Sequence, residues 1–529
     1  MSCFINRLGG KEMSKLGKQI KKNWQLIFIM LVALFSRSVL LGKIPCGVHA
    51  DEAYAGYEAY SLLKYGTDSW GYRAPVYLTT WGSGMSVFES LFMMPFIKFG
   101  GLKLVMIRLP QMIMGIVTVL VVYLLYSRMT DHKKGLWAAM MIAVCPWHIM
   151  MSRWGLDANM APAFILLAMY FAVLGLSNEK YLIVSSLFWG ISLYCYVLMW
   201  LFVPFFLLFS LCYCIKYHKI RISKYTISAV VLLFLLAVPL LLFVAVNIGV
   251  LPELRTAFMS IPRLVQFRGE ELGEGHIFTN IKNLLRLYIK QDDYNFMSVI
   301  PAFGLYYLYS MPFILIGAYD LVKTVWRNRK QKQFGYEVFL LVWIIIYIVI
   351  GVMRSVSAHR ANCMSMAILF LLIRGSYYIG HIFRSVWVRR GISVLYLASF
   401  CLFMRYYFTD YPDMIKQMQL AGADEALEYA AVLKEQNSSD VIHVTARLRH
   451  PQVLFYLEYP TDLYMETVEW KNYPSGWLEA ERFDFFCWDT EAGYYDGIYV
   501  INSDEMDDYE KAGYHVTQFD ACAVAFREE

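Results

Sequence analysis

Charge is scarce in this sequence. Only 17% of its 529 residues are Asp, Glu, Lys or Arg, and 58% are hydrophobic, whereas a soluble globular chain carries about a quarter charged residues. With a mean hydropathy of +0.44, the chain reads as a polytopic α-helical membrane protein. Common catalytic signatures are missing too. There is no H-E-x-x-H pair, Gly-rich phosphate loop or nucleophile elbow, which sets aside soluble-type NTPase, zincin and serine-hydrolase chemistry. The ten cysteines form no C-x-x-C pair; Cys145, Cys195, Cys212 and Cys401 lie in apolar runs, and Cys212 and Cys214 are too close for a zinc knuckle. They read as small apolar residues, and no metal ligand set is expected. Long repeats, low-complexity tracts and paired broken helices are absent, and no nucleic-acid partner is expected. A compact cleavable signal is also lacking: the basic, polar first 24 residues precede an apolar run long enough to stay in the membrane.

Apolar runs are what the chain has. Spans are expected at Trp24–Leu41, Val105–Tyr126, Leu136–Met151, Met160–Leu176, Tyr181–Val197, Phe202–Ile215, Ile227–Val246, Ile300–Val322, Phe339–Met353, Ala361–Ile382 and Ile392–Phe408, about 11 in all. Lys15, Lys18, Lys21 and Lys22 place the N-terminus in the cytoplasm, and the basic loops at Arg128–Lys134, Lys216–Lys224, Lys323–Lys332 and Arg384–Arg390 then fall on the same side. That holds only if Met85–Phe99, broken by Pro95, does not cross, so it reads as a surface or re-entrant helix. Between the first two spans lies VHADEAYAGYEAYSLLKYGTDSWGYRAP, from Val48 to Pro75. Ala53, Tyr57, Tyr60 and Leu63 recur at helical spacing and predict an amphipathic helix along the membrane surface, ended by Gly66.

Two units are expected, residues 1–409 and 410–529. The second holds 25 of the 42 acidic residues and only 8 of the 48 basic ones. Helix is expected at Ala423–Glu435 and strands at Asp440–Thr445, Phe483–Cys487, Gly497–Ile501 and Ala521–Phe526, a small α/β domain outside the cytoplasm whose acidity reads as a solvated surface.

Four outward-facing clusters follow from this topology. They are Asp51-Glu52 with Arg73; Arg153 and Asp157; Arg263, Arg268, His276, Lys282 and Tyr294 in the loop Asn247–Val299; and Arg354, His359 and Arg360. Cations that hold a phosphate and a carboxylate that deprotonates an acceptor are what an anionic lipid-linked substrate requires. Bland readings stand beside these. Asp157 equally fits the cap of a helix starting near Met160, Arg354 and Arg360 equally fit a span boundary, His276 fits an ordinary loop residue, and Arg108 reads as an interfacial snorkeller.

The segments HADEAYAGYEAYSLL, YRAP, IRLPQMIMGIVTVLVVYLLY and AVCPWHIMMSRWGLDANMAP resemble the N-terminal module of GT-C membrane glycosyltransferases, in particular protein O-mannosyltransferases and the lipid A aminoarabinose transferase. The resemblance covers roughly Trp24 to Phe408. It implies an inverting glycosyltransferase of the cell (plasma or inner) membrane that moves a sugar from a polyprenyl-phosphate donor to a glycan, lipid or protein acceptor on the outer face. Asp51 matches the acceptor-activating base and Asp157 the second acidic position, while Glu52 orients the loop; these three are the candidate catalytic residues. His49, Tyr57, Arg73, Arg153, His276, His359 and Arg360 form the candidate substrate-binding set. Arg73 stands where the aminoarabinose transferase has a lysine against the lipid phosphate. The loop of about 50 residues leaves no room for a MIR insertion, which argues against the eukaryotic type of protein O-mannosyltransferase. No cofactor is required, although paired acids leave room for a divalent ion. A transporter or flippase of lipid-linked saccharide would use the same residues for binding only, and a scaffold presenting the acidic tail is a third reading.

Overall fold

The computed structural model describes residues 10–267, 277–436, 441–489 and 497–527, with side chains from Asn23 onward. Helices run α1 (Gly10–Ser38), α2 (Ala50–Lys64), α3 (Phe88–Gly100), α4 (Leu104–Met129), α5 (His132–Ala143), α6 (Pro146–Met151), α7 (Asp157–Gly175), α8 (Lys180–Ser192), α9 (Met199–Lys216) and α10 (Lys224–Asn247). After a two-stranded ribbon, β1 (Leu254–Arg255) and β2 (Ser260–Ile261), come α11 (Ile277–Leu285), α12 (Met311–Lys330), α13 (Glu337–Met353), α14 (Asn362–Ile382) and α15 (Val386–Thr409). Seven helices are long and apolar enough to cross a membrane, α4, α7, α9, α10, α12 with its preceding turn, α14 and α15. Shorter apolar helices lie at Asn23–Ser38 and Glu337–Met353. The two other expected crossings correspond to α5–α6 and α8, which are shorter still.

Departures from the expected spans have local causes. Leu136–Met151 is not one helix, because the chain breaks at Val144-Cys145 before Pro146 restarts it. The expected span from Ile300 begins only at Met311. The tyrosines before it are tied down instead: Tyr306 Oη donates to the Ser365 carbonyl at 2.8 Å and Tyr307 Oη to that of Val144 at 2.7 Å. α3 has 13 residues, roughly 20 Å of rise. α12 and α14 approach closely because both carry glycine at the crossing. A Cβ on Gly317 would lie 1.9 Å from the Leu371 carbonyl oxygen, and one on Gly375 1.8 Å from that of Phe313.

The C-terminal sheet has seven strands in the order β4-β5-β6-β3-β7-β9-β8: β3 (Ile442–Val444), β4 (Glu469–Trp470), β5 (Ala480–Phe483), β6 (Phe486–Cys487), β7 (Ile498–Asn502), β8 (His515–Phe519) and β9 (Cys522–Phe526). β3 runs parallel to β6 and β7, and the remaining pairings are antiparallel. The expected strand Phe483–Cys487 is a hairpin instead, turning at Asp484, whose φ is +45°. α16 (Tyr411–Ile415) and α17 (Ala423–Gln436) lead into the sheet, α18 (His450–Tyr456) and α19 (Thr461–Thr467) follow β3, and α20 (Met506–Lys511) precedes β8.

α2 is not a surface helix. Ten of its residues are buried, and it lies between the start of α4 and the C-terminal domain, sharing one apolar core with Leu427, Val453, Leu454 and Phe486. A Cβ on Gly56 would meet Ile107 at 2.9 Å and Phe455 at 3.1 Å. Tyr57 Oη donates to the Tyr459 carbonyl at 2.9 Å, and Gln452 Nε2 to that of Val48 at 2.8 Å. The helix is apolar on the face toward the membrane helices and also on the face toward the tail, which its sequence shows only as alanines and tyrosines all round.

Candidate active site

α2 starts where it does because the His49 ring accepts the Asp51 amide at 3.2 Å, and Asp51 and Glu52 then occupy the positive end of the helix dipole. The two neighbours point to different places. Asp51 is about one-third exposed and lines a cavity of about 340 Å³. Its Oδ1 accepts the Trp81 indole N–H at 2.8 Å. Asp157 lines the same cavity. It is the first residue of α7, with Leu156 as the cap, and its Oδ1 accepts the Ala158 amide at 2.7 Å. Arg354, His359 and Arg360 line the cavity as well. Arg360 is exposed and makes no ion pair among the described residues. Burial, with Arg360 and His49 nearby, pushes the His359 imidazole down to about 3, so it is neutral. Tyr77, Trp81, Tyr196, Trp200 and Trp477 supply an aromatic wall. A second lobe of about 390 Å³, lined by Arg286, Asp292, Asp293 and Tyr294, adjoins through His359 and Arg360.

Glu52 faces away, fully buried in a bidentate pair with Arg108 at 2.7 and 2.9 Å. Arg108 also donates to the carbonyls of Leu41, Pro45 and Gly47, and Arg153 to those of Ser36, Val39 and Ile44. Arg108 is therefore no snorkeller. Two buried guanidiniums hold the 38–47 segment that delivers His49 and Asp51 to the cavity. Of the candidates named from the sequence, Asp51, Asp157, His359 and Arg360 meet there. His49 sits beside them, edge-on to Trp154, which in turn packs edge-on to His359. Glu52, Tyr57 and Arg153 are taken up in packing, Arg73 is exposed away from the lining, and His276 lies outside the described residues.

The sequence reading missed Tyr77, Trp81, Tyr196, Trp200 and Trp477, which are ordinary aromatics in a chain that is 17% aromatic and give no positional signal. Among the described residues no three His, Cys, Asp or Glu side chains converge as a metal site. Another cavity, about 270 Å³ between α7, α8, α9 and α10, has no charged residue on its wall and offers nothing for proton or phosphate chemistry.

The same arrangement of helices and sheet occurs in a known protein. ArnT from Cupriavidus metallidurans in the apo state superimposes with a TM-score of 0.56 at 10% identity, over 96% of this chain and 98% of that one. The chain has the GT-C fold. ArnT of the same organism bound to undecaprenyl phosphate gives 0.55 at 12% identity, covering 95% and 98%. Residues 88–243 match the family model for dolichyl-phosphate-mannose-protein mannosyltransferase, under a third of the chain. None of the curated proteins matches in sequence. Residues 88–243 run from α3 to α10, so the match includes Asp157, Tyr196 and Trp200 and leaves out Asp51, Arg354 and Arg360.

Proposed function

We propose that this membrane protein transfers a sugar from a polyprenyl-phosphate carrier to an acceptor on the extracytoplasmic face of the cell membrane. The N-terminus then lies in the cytoplasm and residues 410–529 form the outer domain. The observation that carries the reading is one cavity lined by Asp51, Asp157, Arg354 and Arg360, in a GT-C fold that ArnT shares and that in ArnT accommodates undecaprenyl phosphate.

Asp51 takes the proton of the acceptor hydroxyl, whose oxygen attacks the anomeric carbon in line. The bond from that carbon to the phosphate oxygen breaks, and the phosphate leaves toward Arg354 and Arg360, which stabilise the charge it gains. A single displacement inverts the anomeric centre. Neutral His359 suits hydrogen bonding to sugar hydroxyls, and the aromatic wall suits stacking on a sugar face. Arg73, outside the lining, has no part in this assignment.

Transfer is assayed with lipid donor extracted from membranes, beside binding of undecaprenyl phosphate. Asp51→Asn should bind the lipid and turn over about 100-fold more slowly, the lower range for losing general-base help. Wild-type transfer rates in this variant refute the mechanism, and lipid translocation without transfer by the wild type moves the assignment to a flippase.

A further inference from the structure

Trp81 occupies an unusual place. Its φ is +59°, a left-handed conformation that bulky side chains rarely adopt and that persists only where the surroundings enforce it. It is 3% exposed and forms the corner of a tight turn, closed by Gly82 N donating to Thr79 O at 2.9 Å and Gly84 N to Thr80 O at 2.8 Å. Part of the enforcement comes from the far end of the chain. Leu478 N donates to the Trp81 carbonyl at 2.9 Å. The Trp477 indole lies flat on the Trp81 indole, with centroids 4.1 Å apart and planes within 6°. The loop that presents Trp477 is pinned in turn, since Asn472 Nδ2 donates to the Trp477 carbonyl at 2.8 Å. The output of this arrangement is the N–H bond to Asp51. An indole N–H donates only. It cannot relay a proton, but it fixes the plane of the carboxylate and occupies Oδ1, leaving Oδ2, 3.9 Å from His49 Nδ1, as the oxygen open to a hydroxyl.

We propose that Trp477 and Trp81 are positioning residues for the Asp51 carboxylate, so that the C-terminal domain is a working part of the reaction centre. This rests on the reading of Asp51 as the base. A carboxylate free to rotate on a cavity wall spends much of its time aimed away from the acceptor, and a misplacement of about 1 Å costs on the order of 100-fold in rate. The Trp477 stack and the Leu478 hydrogen bond set the indole plane, and the indole sets the carboxylate.

The test is a mutant cycle on the full-length protein in the transfer assay, with undecaprenyl phosphate as the binding probe. Trp81→Phe keeps a ring and loses the donor. It should lower kcat roughly 10- to 100-fold while changing affinity for undecaprenyl phosphate by less than about twofold, the pattern of an interaction made for the chemical step. Trp477→Ala should lower kcat about 10-fold, with most of the loss recovered in Trp477→Phe, which restores a stacking face. In an Asp51→Asn background, Trp81→Phe should have no further effect, because the group it positions no longer accepts a proton. Equal factors from Trp81→Phe in the wild-type and Asp51→Asn backgrounds overturn the positioning role while leaving the base intact. So does an unchanged kcat in Trp81→Phe beside a slow Asp51→Asn. Equal turnover by wild type and Asp51→Asn instead removes the base and the positioning role together. Should Trp81→Phe fold poorly, the cycle still decides, since a lower folded fraction scales both backgrounds alike.

Discussion

The first turn and the middle of α2 bury carboxylates in opposite ways. At its start Glu52 is fully buried, yet a guanidinium with both N–H arms on it, and a backbone amide from Gly155 at 2.9 Å, compensate the charge. Two turns on, Glu58 is also fully buried, but among the described residues it receives only the amide and hydroxyl of Ser69. Asp68, equally buried, takes the Trp70 and Tyr72 amides on one oxygen and leaves the other without a partner among the described residues. Burial, with Asp68 nearby, pushes Glu58 up to about 8, and burial likewise pushes Asp68 up to about 7. Depth alone therefore does not set the state of a carboxylate. The first turn holds a permanent ion pair, and the middle titrates near neutral pH where the tail docks.

Breaking the ion pair should have the largest effect on stability. Glu52→Gln leaves Arg108 buried and uncompensated, and should destabilise the protein by about 3–5 kcal/mol, read as a drop in thermal midpoint in detergent. Glu52→Gln with Arg108→Met should recover only part of it, because the carbonyls of Leu41, Pro45 and Gly47 then lose their donor. An unchanged midpoint in the single variant would mean that the pair is not closed in the folded protein.

The middle of the helix sharpens the comparison through pH. Both folded values are raised above the ordinary 4.5 and 3.8, so the neutral forms favour the folded state. Their contribution is complete below about pH 4, and declines as pH rises toward and through about 7 to 8. The thermal midpoint should fall between about pH 4 and 8 and level off above, and Glu58→Gln should flatten part of that slope. A slope identical to wild type in that variant would remove Glu58 as its source. The smallest effect is expected one residue before the ion pair. Asp51→Asn, on a cavity wall with its Trp81 bond to a neutral amide retained, should stay within about 1 kcal/mol of wild type in the same melt. A loss as large as that of Glu52→Gln would erase the distinction between the two neighbours.

Long apolar runs made most of the membrane helices legible, because about 20 apolar residues with few charges have no other comfortable place. Asp51 and Asp157 were legible for a related reason, being carboxylates placed at the edges of such runs. Charge alone could not say where a side chain turns. Asp51 and Glu52 look equivalent in a string, and they diverge because successive helical positions point about 100° apart, one to the cavity and one to Arg108. Arg108 and Arg153 are opaque in sequence because their partners are mainly backbone carbonyls, which carry no residue signature. Trp477 is opaque because its stacking partner lies almost 400 positions earlier. In the tail, buried strands such as Ile498–Asn502 showed as apolar runs, whereas His515–Phe519, half-exposed at the edge, did not.

The core shared by α2 and the C-terminal domain has a consequence in time. Contacts such as Tyr57 with Tyr459 and Val48 with Gln452 join positions 402 and 404 residues apart. While the chain is being synthesised, the segment that carries Asp51 is made several hundred residues before the surface that covers it. Closing so long a loop comes late in folding. Until the last hundred residues arrive, Tyr57, Ala59 and Tyr60 have only their membrane-side neighbours. A nascent or truncated chain therefore displays an apolar helix of the kind chaperones and proteases recognise, and the cavity wall is completed only after Trp477 has been made.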